Sequence, residues 1–220
     1  MTDQFRNRYF LLLLLLSLIS TRCSNNEGES KLVLNTTGNK LKNPTSPGKR
    51  TTAYLSQDTL TSFLYRCKII NVNKRARPPF SKLKYNKVIA YNYDGVDGEH
   101  VFRIVENNKL VTRIKQQRQL NQKQVDDLTN WLGAISTYGG TYAFCFEPHL
   151  GIVFYNNNKI IANISIAIGC NFLDSSVPIP ATKAKNIEIS KGHTYSAKGF
   201  SEVGSKKLIA LAKELNFSIQ

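Results

Sequence analysis

Cys145, His149, Cys170 and His193 are the side chains of this sequence with the most chemistry to offer. Two cysteines and two histidines form a donor set that tetrahedral zinc accepts, and Cys145 and His149 stand at C-x₃-H spacing. The short-range C-x-x-C and H-x-x-x-H pairs that mark structural zinc sites are missing from the sequence. The two cysteines can instead bond to each other. Gly151 to Tyr155 and Ile160 to Ile168 read as strands joined through Asn157-Asn158, and asparagine tolerates the positive φ of a type I′ turn. A hairpin about that turn opposes Tyr155 to Ile160 and, carried outward, Cys145 to Cys170. That pair falls in the non-hydrogen-bonded class, where Cα atoms approach to about 4.5 Å and a disulfide closes. The bond would cap the face that carries Val153, Tyr155, Ile160, Ala162, Ile164, Ile166 and Ile168. Pro148 lacks a ladder donor and interrupts regular pairing before Cys145 is reached, so two buried free thiols stay open as the alternative.

The second chemical signal is charge. The 220 residues carry 30 Lys and Arg against 15 Asp and Glu, a formal net charge of +15, and such a balance calls for an anionic partner or surface. The excess is uneven. Arg66, Lys68, Lys74, Arg75, Arg77, Lys82, Lys84 and Lys87 follow one another with no acidic residue between them. Pro78-Pro79-Phe80 in the middle reads as an exposed loop carrying an aromatic, so the expectation is a loop that touches anionic lipid or glycan while Phe80 stacks or inserts. The bland alternative is a solvated, solubilising face. Asp94, Asp97 and Glu99 could hold calcium, but their spacing departs from an EF-hand loop and suits a polar strand connection. There is no G-x-S-x-G elbow, H-E-x-x-H helix, Gly-rich phosphate loop or haem motif, and Ser201 reads as a helix cap. No cofactor is expected.

The elements that must position these residues are mostly short strands: 67–72, 87–93, 101–105, 110–114, 141–146, 151–155, 160–168 and 186–189, rich in Val, Ile, Phe and Tyr. Asn121-Gln122-Lys123-Gln124 reads as a capping box opening a helix with Val125, Leu128, Leu132 and Ile135 on one face. Ser201 caps a last helix with Leu208, Leu211, Ala212 and Leu215, and a weaker helix runs from Ser56 to Tyr65 on Leu60, Phe63 and Leu64. Consecutive strands with short turns favour antiparallel pairing. The expected fold is α+β: a mainly antiparallel sheet with two or three helices packed on one face, spanning 53–220 as a single domain.

Arg6 and Arg8 precede an apolar run from Phe10 to Ile19, the order of charges and grease in a secretory signal. As a helix that run covers about 15 Å, half of what spanning a bilayer takes. After it, Ile19-Ser20-Thr21-Arg22-Cys23 resembles the lipobox of bacterial lipoproteins, whose cysteine is lipidated and becomes the mature N-terminus. Arg22 and Ser20 depart from that pattern, which usually has a small residue before the cysteine and a leucine three before it. The resemblance implies a signal peptide over 1–22 and acyl chains on Cys23. It leaves Cys67, Cys145 and Cys170 as the thiols of the exported chain. Residues 23–52, rich in Asn, Ser, Thr, Gly and Pro, read as a tether of about 30 Å r.m.s. span.

Cys145 to Tyr155, followed by Ile164 to Asn171 and preceded by Lys87 to Gly95, is similar to segments of a group of uncharacterised Bacteroidota-type lipoproteins and hypothetical proteins. In that group the second segment often reads C-x-x-C, whereas Ala167 stands here where the first cysteine would be. The resemblance brings no activity. The expected protein is an exported cell-envelope lipoprotein of the outer membrane, held by membrane lipid through its acyl chains. It would act without catalysis by binding an anionic lipid or glycan surface; with export, nucleic acid is not an expected partner. An envelope enzyme with a site that sequence order conceals, and an inhibitor- or immunity-type protein-binding lipoprotein, are the alternatives.

Overall fold

The computed structural model describes residues 53–183 and 186–218. The apolar run 10–19, Cys23 and the tether lie outside the described residues, and among the described residues no helix is long and apolar enough to cross a membrane.

Helix α1 (Gln57–Arg66) opens where Ser56 accepts a hydrogen bond from the Thr59 N–H, and it buries Leu60 and Leu64. Strands β1 (Lys87–Tyr93), β2 (Val96–Asp97), β3 (His100–Val101), β4 (Val105–Glu106), β5 (Lys109–Leu110) and β6 (Ile114–Gln119) follow. Then come α2 (Gln122–Leu132), β7 (Tyr138–Gly140), β8 (Leu150–Asn156), β9 (Lys159–Ala167) and β10 (Phe172–Ser175). A hairpin of β11 (Asn186–Ser190) and β12 (His193–Ser196), strand β13 (Gly199–Phe200) and helix α3 (Glu202–Glu214) complete the order. Five strands form an antiparallel sheet in the order β10-β9-β8-β1-β6, so the fold is α+β and mainly antiparallel.

The centre of that sheet is apolar on both sides. All seven residues of β1 are buried, and alternate residues enter two different cores. Val88, Ala90, Ile152, Phe154, Ile164 and Ile166 pack with Val125, Leu128 and Leu132 of α2, with Leu208 and Leu211 of α3 and with Leu215, which caps α3. Ile89, Tyr91, Tyr93, Val153 and Tyr155 pack with Leu60 and Leu64 of α1 and with Ile104, Val105, Leu110 and Val111 of the small hairpins. Two helices share one face as the sequence predicts, while α1 and the hairpins bury the other. The β4–β5 hairpin turns through Asn107 and Asn108, both at positive φ (50° and 58°), as a type I′ turn requires.

The β8–β9 hairpin keeps the expected pairs only at its tip, Asn156 with Lys159 and Tyr155 with Ile160. A bulge between Phe154 and Tyr155 then moves the register by one, so Phe154 faces Ala162. Side-chain parity changes at that point. Tyr155, Val153 and Ile160 belong to one core and Ala162, Ile164 and Ile166 to the other, in place of the single face that the turn-based register predicts.

Burial also governs ionisation in the sheet. The Tyr91 and Tyr155 hydroxyls hydrogen-bond to each other at 2.8 Å, and burial pushes the phenols of Tyr91, Tyr93, Tyr138 and Tyr155 up. The unfolded chain releases these protons at about pH 10, whereas the folded chain holds them. The stability they contribute is therefore complete below about pH 10 and is lost as pH rises through and above it. The urea midpoint is expected to stay level to about pH 9 and to fall above about pH 10, with the buried phenols ionising only as the chain unfolds. Ionisation of every tyrosine in the folded chain would contradict this.

Candidate functional site

The basic run does not form the strand expected over 67–72. It lies as a strap along α2, and side-chain amides take the place of a ladder. Gln119 accepts a hydrogen bond from the Lys68 N–H at 2.9 Å and donates to the Lys68 carbonyl. Gln122 does the same to Asn71, at 2.8 and 3.0 Å. Only Ile70 donates its backbone N–H to strand-adjacent backbone, the Asn86 carbonyl at 2.9 Å. Further along, Asn73 is buried and donates to the Asp126 carbonyl (3.2 Å), Thr129 Oγ1 (3.1 Å) and Asn130 Oδ1 (3.3 Å), while its own Oδ1 accepts from the Arg75 N–H at 3.0 Å. Arg77 then passes so close to Gly133 that a side chain there would meet the Arg77 Cβ at 2.9 Å.

Between these fastenings the strap alternates buried anchors with exposed cations. Ile70, Ala76, Phe80 and Tyr85 enter the core on the α2 side; Lys68, Lys74, Arg75, Arg77, Lys82 and Lys84 are exposed. Phe80 is 0% exposed and its ring sits 5.8 Å from that of Phe154, so the expectation of an aromatic free to stack or insert is corrected. The flanking prolines that suggest an exposed loop instead lead into a short 3₁₀ turn, Phe80–Lys82, whose first side chain is an anchor. Lys87 is also corrected: it opens β1 and is only 8% exposed, which withdraws it from any surface contact. Arg66 lies in the last turn of α1, where a cation complements the carbonyl end of the helix. Among the described residues none of the strap's six exposed cations forms an ion pair. On α2, Asp126, whose carbonyl takes a bond from Asn73, accepts a hydrogen bond on its carboxylate from Gln122 at 2.9 Å.

Asn73→Ala removes an amide whose two N–H groups are shared among three α2 acceptors, and the acceptor that shapes the turn at Arg75. Losing these bonds from a buried site is expected to destabilise the fold by about 1–3 kcal/mol, readable in urea unfolding. A midpoint equal to that of the wild type would show that Asn73 does not fasten the strap.

Cys145 and Cys170 form a disulfide with Cα atoms 5.7 Å apart. It closes outside the hairpin ladder, since β8 begins at Leu150 and β9 ends at Ala167, and Ala143 donates to the Cys170 carbonyl at 3.0 Å. Cys170 is buried and Cys145 exposed, so the bond lies at the edge of the core and does not cap its face. Both sulfurs are consumed, which removes the zinc arrangement of Cys145, His149, Cys170 and His193, because zinc takes thiolates. Among the described residues no group of three or more His, Cys, Asp or Glu side chains could hold a metal. His193 is exposed on the β11–β12 hairpin, and His149 lines a different feature. That feature is a shallow polar pocket of about 420 Å³ bounded by Asn92, Lys115, Gln116, His149 and Ser218. Asp94 pairs with Lys115 at 2.6 Å and Asp97 with Arg113 at 3.2 Å, which commits two of the three candidate calcium ligands to cations and leaves Glu99 on an exposed turn. Cys67 is half-buried beside Phe63, and burial pushes its thiol up, the state of an inert structural cysteine.

Sequence reading missed an aromatic cluster beside the disulfide, half-buried except for its exposed member Phe144. Tyr142 has its ring 6.3 Å from Phe144, 5.1 Å from Phe172 and 5.7 Å from Tyr195, and Phe146 is 5.9 Å from Phe172. The aromatics at 142, 144 and 146 have the period-two spacing that predicts a strand over 141–146, but that segment lies between β7 and β8 and belongs to no strand. Comparison with protein-family models, with curated proteins and with solved structures finds no match.

Proposed function

We propose that this chain is a non-catalytic, membrane-tethered protein of the cell envelope that binds an anionic surface through its strap. The observation that carries this reading is the set of exposed cations Lys68, Lys74, Arg75, Arg77, Lys82 and Lys84, none in an ion pair among the described residues, on a backbone fastened at both ends of α2. Exposed cations with no ion-pair partner among the described residues leave their charge for an external one, and a fastened backbone lowers the ordering cost of binding. With Phe80 in the core, charge carries the contact, and the large apolar side chain that the strap leaves exposed is Ile69, at 74%. The apolar run, the lipobox-like Cys23 and the resemblance to Bacteroidota-type lipoproteins support export and anchoring, and a disulfide accords with an oxidising compartment. Phosphate-bearing lipid headgroups and acidic glycans present the same chemistry to the strap.

The test uses the compact unit Lys49–Gln220, sedimented with acidic vesicles, with zwitterionic vesicles and with an acidic polysaccharide on beads, at low and high salt. Binding to an acidic material that high salt abolishes supports the reading, and the material bound identifies the source of the charge. Equal recovery with acidic and zwitterionic vesicles, together with no retention on the polysaccharide, would overturn it.

A further inference from the structure

We infer that the disulfide-held segment 142–146 is a bilayer-docking tip, with Phe144 entering the interfacial zone of an anionic phospholipid membrane and Tyr142 and Tyr195 lying at headgroup level. This rests on the tethered-envelope reading above and names lipid as the partner of a second surface. Phe144 is 97% exposed, the most exposed large apolar side chain among the described residues. It carries no polar group, so water gains nothing from contact with it. Its base is rigid: the Cys145–Cys170 bond crosses it, Ala143 bonds to Cys170, and Asn171 donates to the carbonyls of Thr141 (2.8 Å) and Phe200 (2.9 Å). Tyr142 and Tyr195 stack behind the tip, and tyrosine favours the membrane–water boundary, where its ring is apolar and its hydroxyl wet.

Shape separates lipid from a protein partner. One protruding phenylalanine offers a convex point, and a stable protein interface buries about 800 Å² per partner around a central cluster. A fluid interface accepts a convex point without a complementary pocket. The charges near the tip are mixed: Lys191, His193, Lys198 and Glu188 are exposed on or beside the β11–β12 hairpin, and Glu147 is exposed two residues after Cys145. Attraction to acidic lipid therefore comes from the strap and the chain's net charge of +15, while the tip contributes apolar contact. The tether expected over 23–52 would hold the domain within about 30 Å of the bilayer, where effective concentration is millimolar. Half-occupancy there takes about 1,000-fold in affinity over the 1 M standard state, of which burial of one phenylalanine supplies about 10- to 150-fold and the strap's cations, at about fivefold each, the rest.

The test is Phe144→Trp in the full chain, reconstituted into phosphatidylglycerol–phosphatidylcholine vesicles whose acyl chains carry bromine as quencher. The only native tryptophan, Trp131, is buried against Phe200 and serves as the internal reference in the unsubstituted chain. The expected result is severalfold stronger quenching by the brominated lipid in the variant than in the wild type, with a blue shift of the added emission and protection from aqueous iodide. Quenching equal to that of the wild type would overturn the inference, whether iodide reaches the introduced indole, which then sits in water, or does not, which marks a protein contact. The same measurement with Lys74→Glu, Arg75→Glu and Arg77→Glu added keeps the two ideas apart. Lipid quenching of the introduced indole that survives in this background, with sedimentation of the Lys49–Gln220 unit unchanged by the three reversals, supports the tip and removes the strap. Loss of sedimentation without any lipid quenching does the opposite.

Discussion

Reversing Lys74, Arg75 and Arg77 to glutamate together is expected to weaken binding of the Lys49–Gln220 unit to acidic vesicles by at least about 100-fold at low salt. Each basic residue near an anionic surface contributes about 1 kcal/mol, so losing three removes about 3 kcal/mol, and a factor of ten corresponds to about 1.4 kcal/mol. The new carboxylates add repulsion to that loss. The fold is expected to be untouched, because all three side chains are exposed and break no ion pair among the described residues when replaced. The thermal midpoint should therefore stay within a degree or two of the wild type, since surface changes of this kind move stability by about 0.5 kcal/mol or less. Residual binding by the variant should lose most of its salt dependence, which ties the effect to charge.

Replacing both Cys145 and Cys170 with serine is expected to cost about 3 kcal/mol of stability. The bond spans a sequence separation of 25 residues, and closing a loop of that length restricts the unfolded chain by about that amount. For a domain of this size the thermal midpoint should fall by about 10 °C. Thiol titration in denaturant gives an independent check: adding reductant should raise the count by two, because among the described residues Cys67 is the only free cysteine. A count that does not change with reductant would remove the disulfide. The double substitution also frees the base of the aromatic tip, so any membrane contact of Phe144 should weaken in parallel with stability.

Where one local interaction decides the outcome, the sequence is legible. Asn121 and Gln124 satisfy each other's backbone donors as the capping box requires, Ser56 and Ser201 cap their helices, and β1, β8 and β9 lie where Val, Ile and Phe are densest. Local pattern fails where a distant group takes over. The apolar alternation of 67–72 suits a strand, yet the side chains of Gln119 and Gln122, about fifty residues on, supply the bonds that a neighbouring strand would have supplied. Ile135 continues the spacing of α2 but lies beyond the cap at Gly133 and is 58% exposed. Phe80 follows two prolines in a run of cations, and only the tertiary fold brings Phe154 and Tyr85 around it. The bulge opposite Phe154 and Tyr155, where Ile161 is the extra residue of β9, leaves no mark in composition, yet it reassigns the β9 side chains beyond it. For the candidate site, the cations of the strap were readable from their order alone. Their fastening by Asn73, and the transfer of the exposed aromatic from Phe80 to Phe144, were not.

Hydrogen–deuterium exchange of the Lys49–Gln220 unit with and without acidic vesicles tests surface binding by the strap most directly, because it reports which backbone meets the surface. Added protection over 68–84 is expected with acidic vesicles, removed by high salt and absent with zwitterionic ones. Binding to acidic vesicles with no change over 68–84, or protection confined to the pocket around His149 and Gln116, would contradict it.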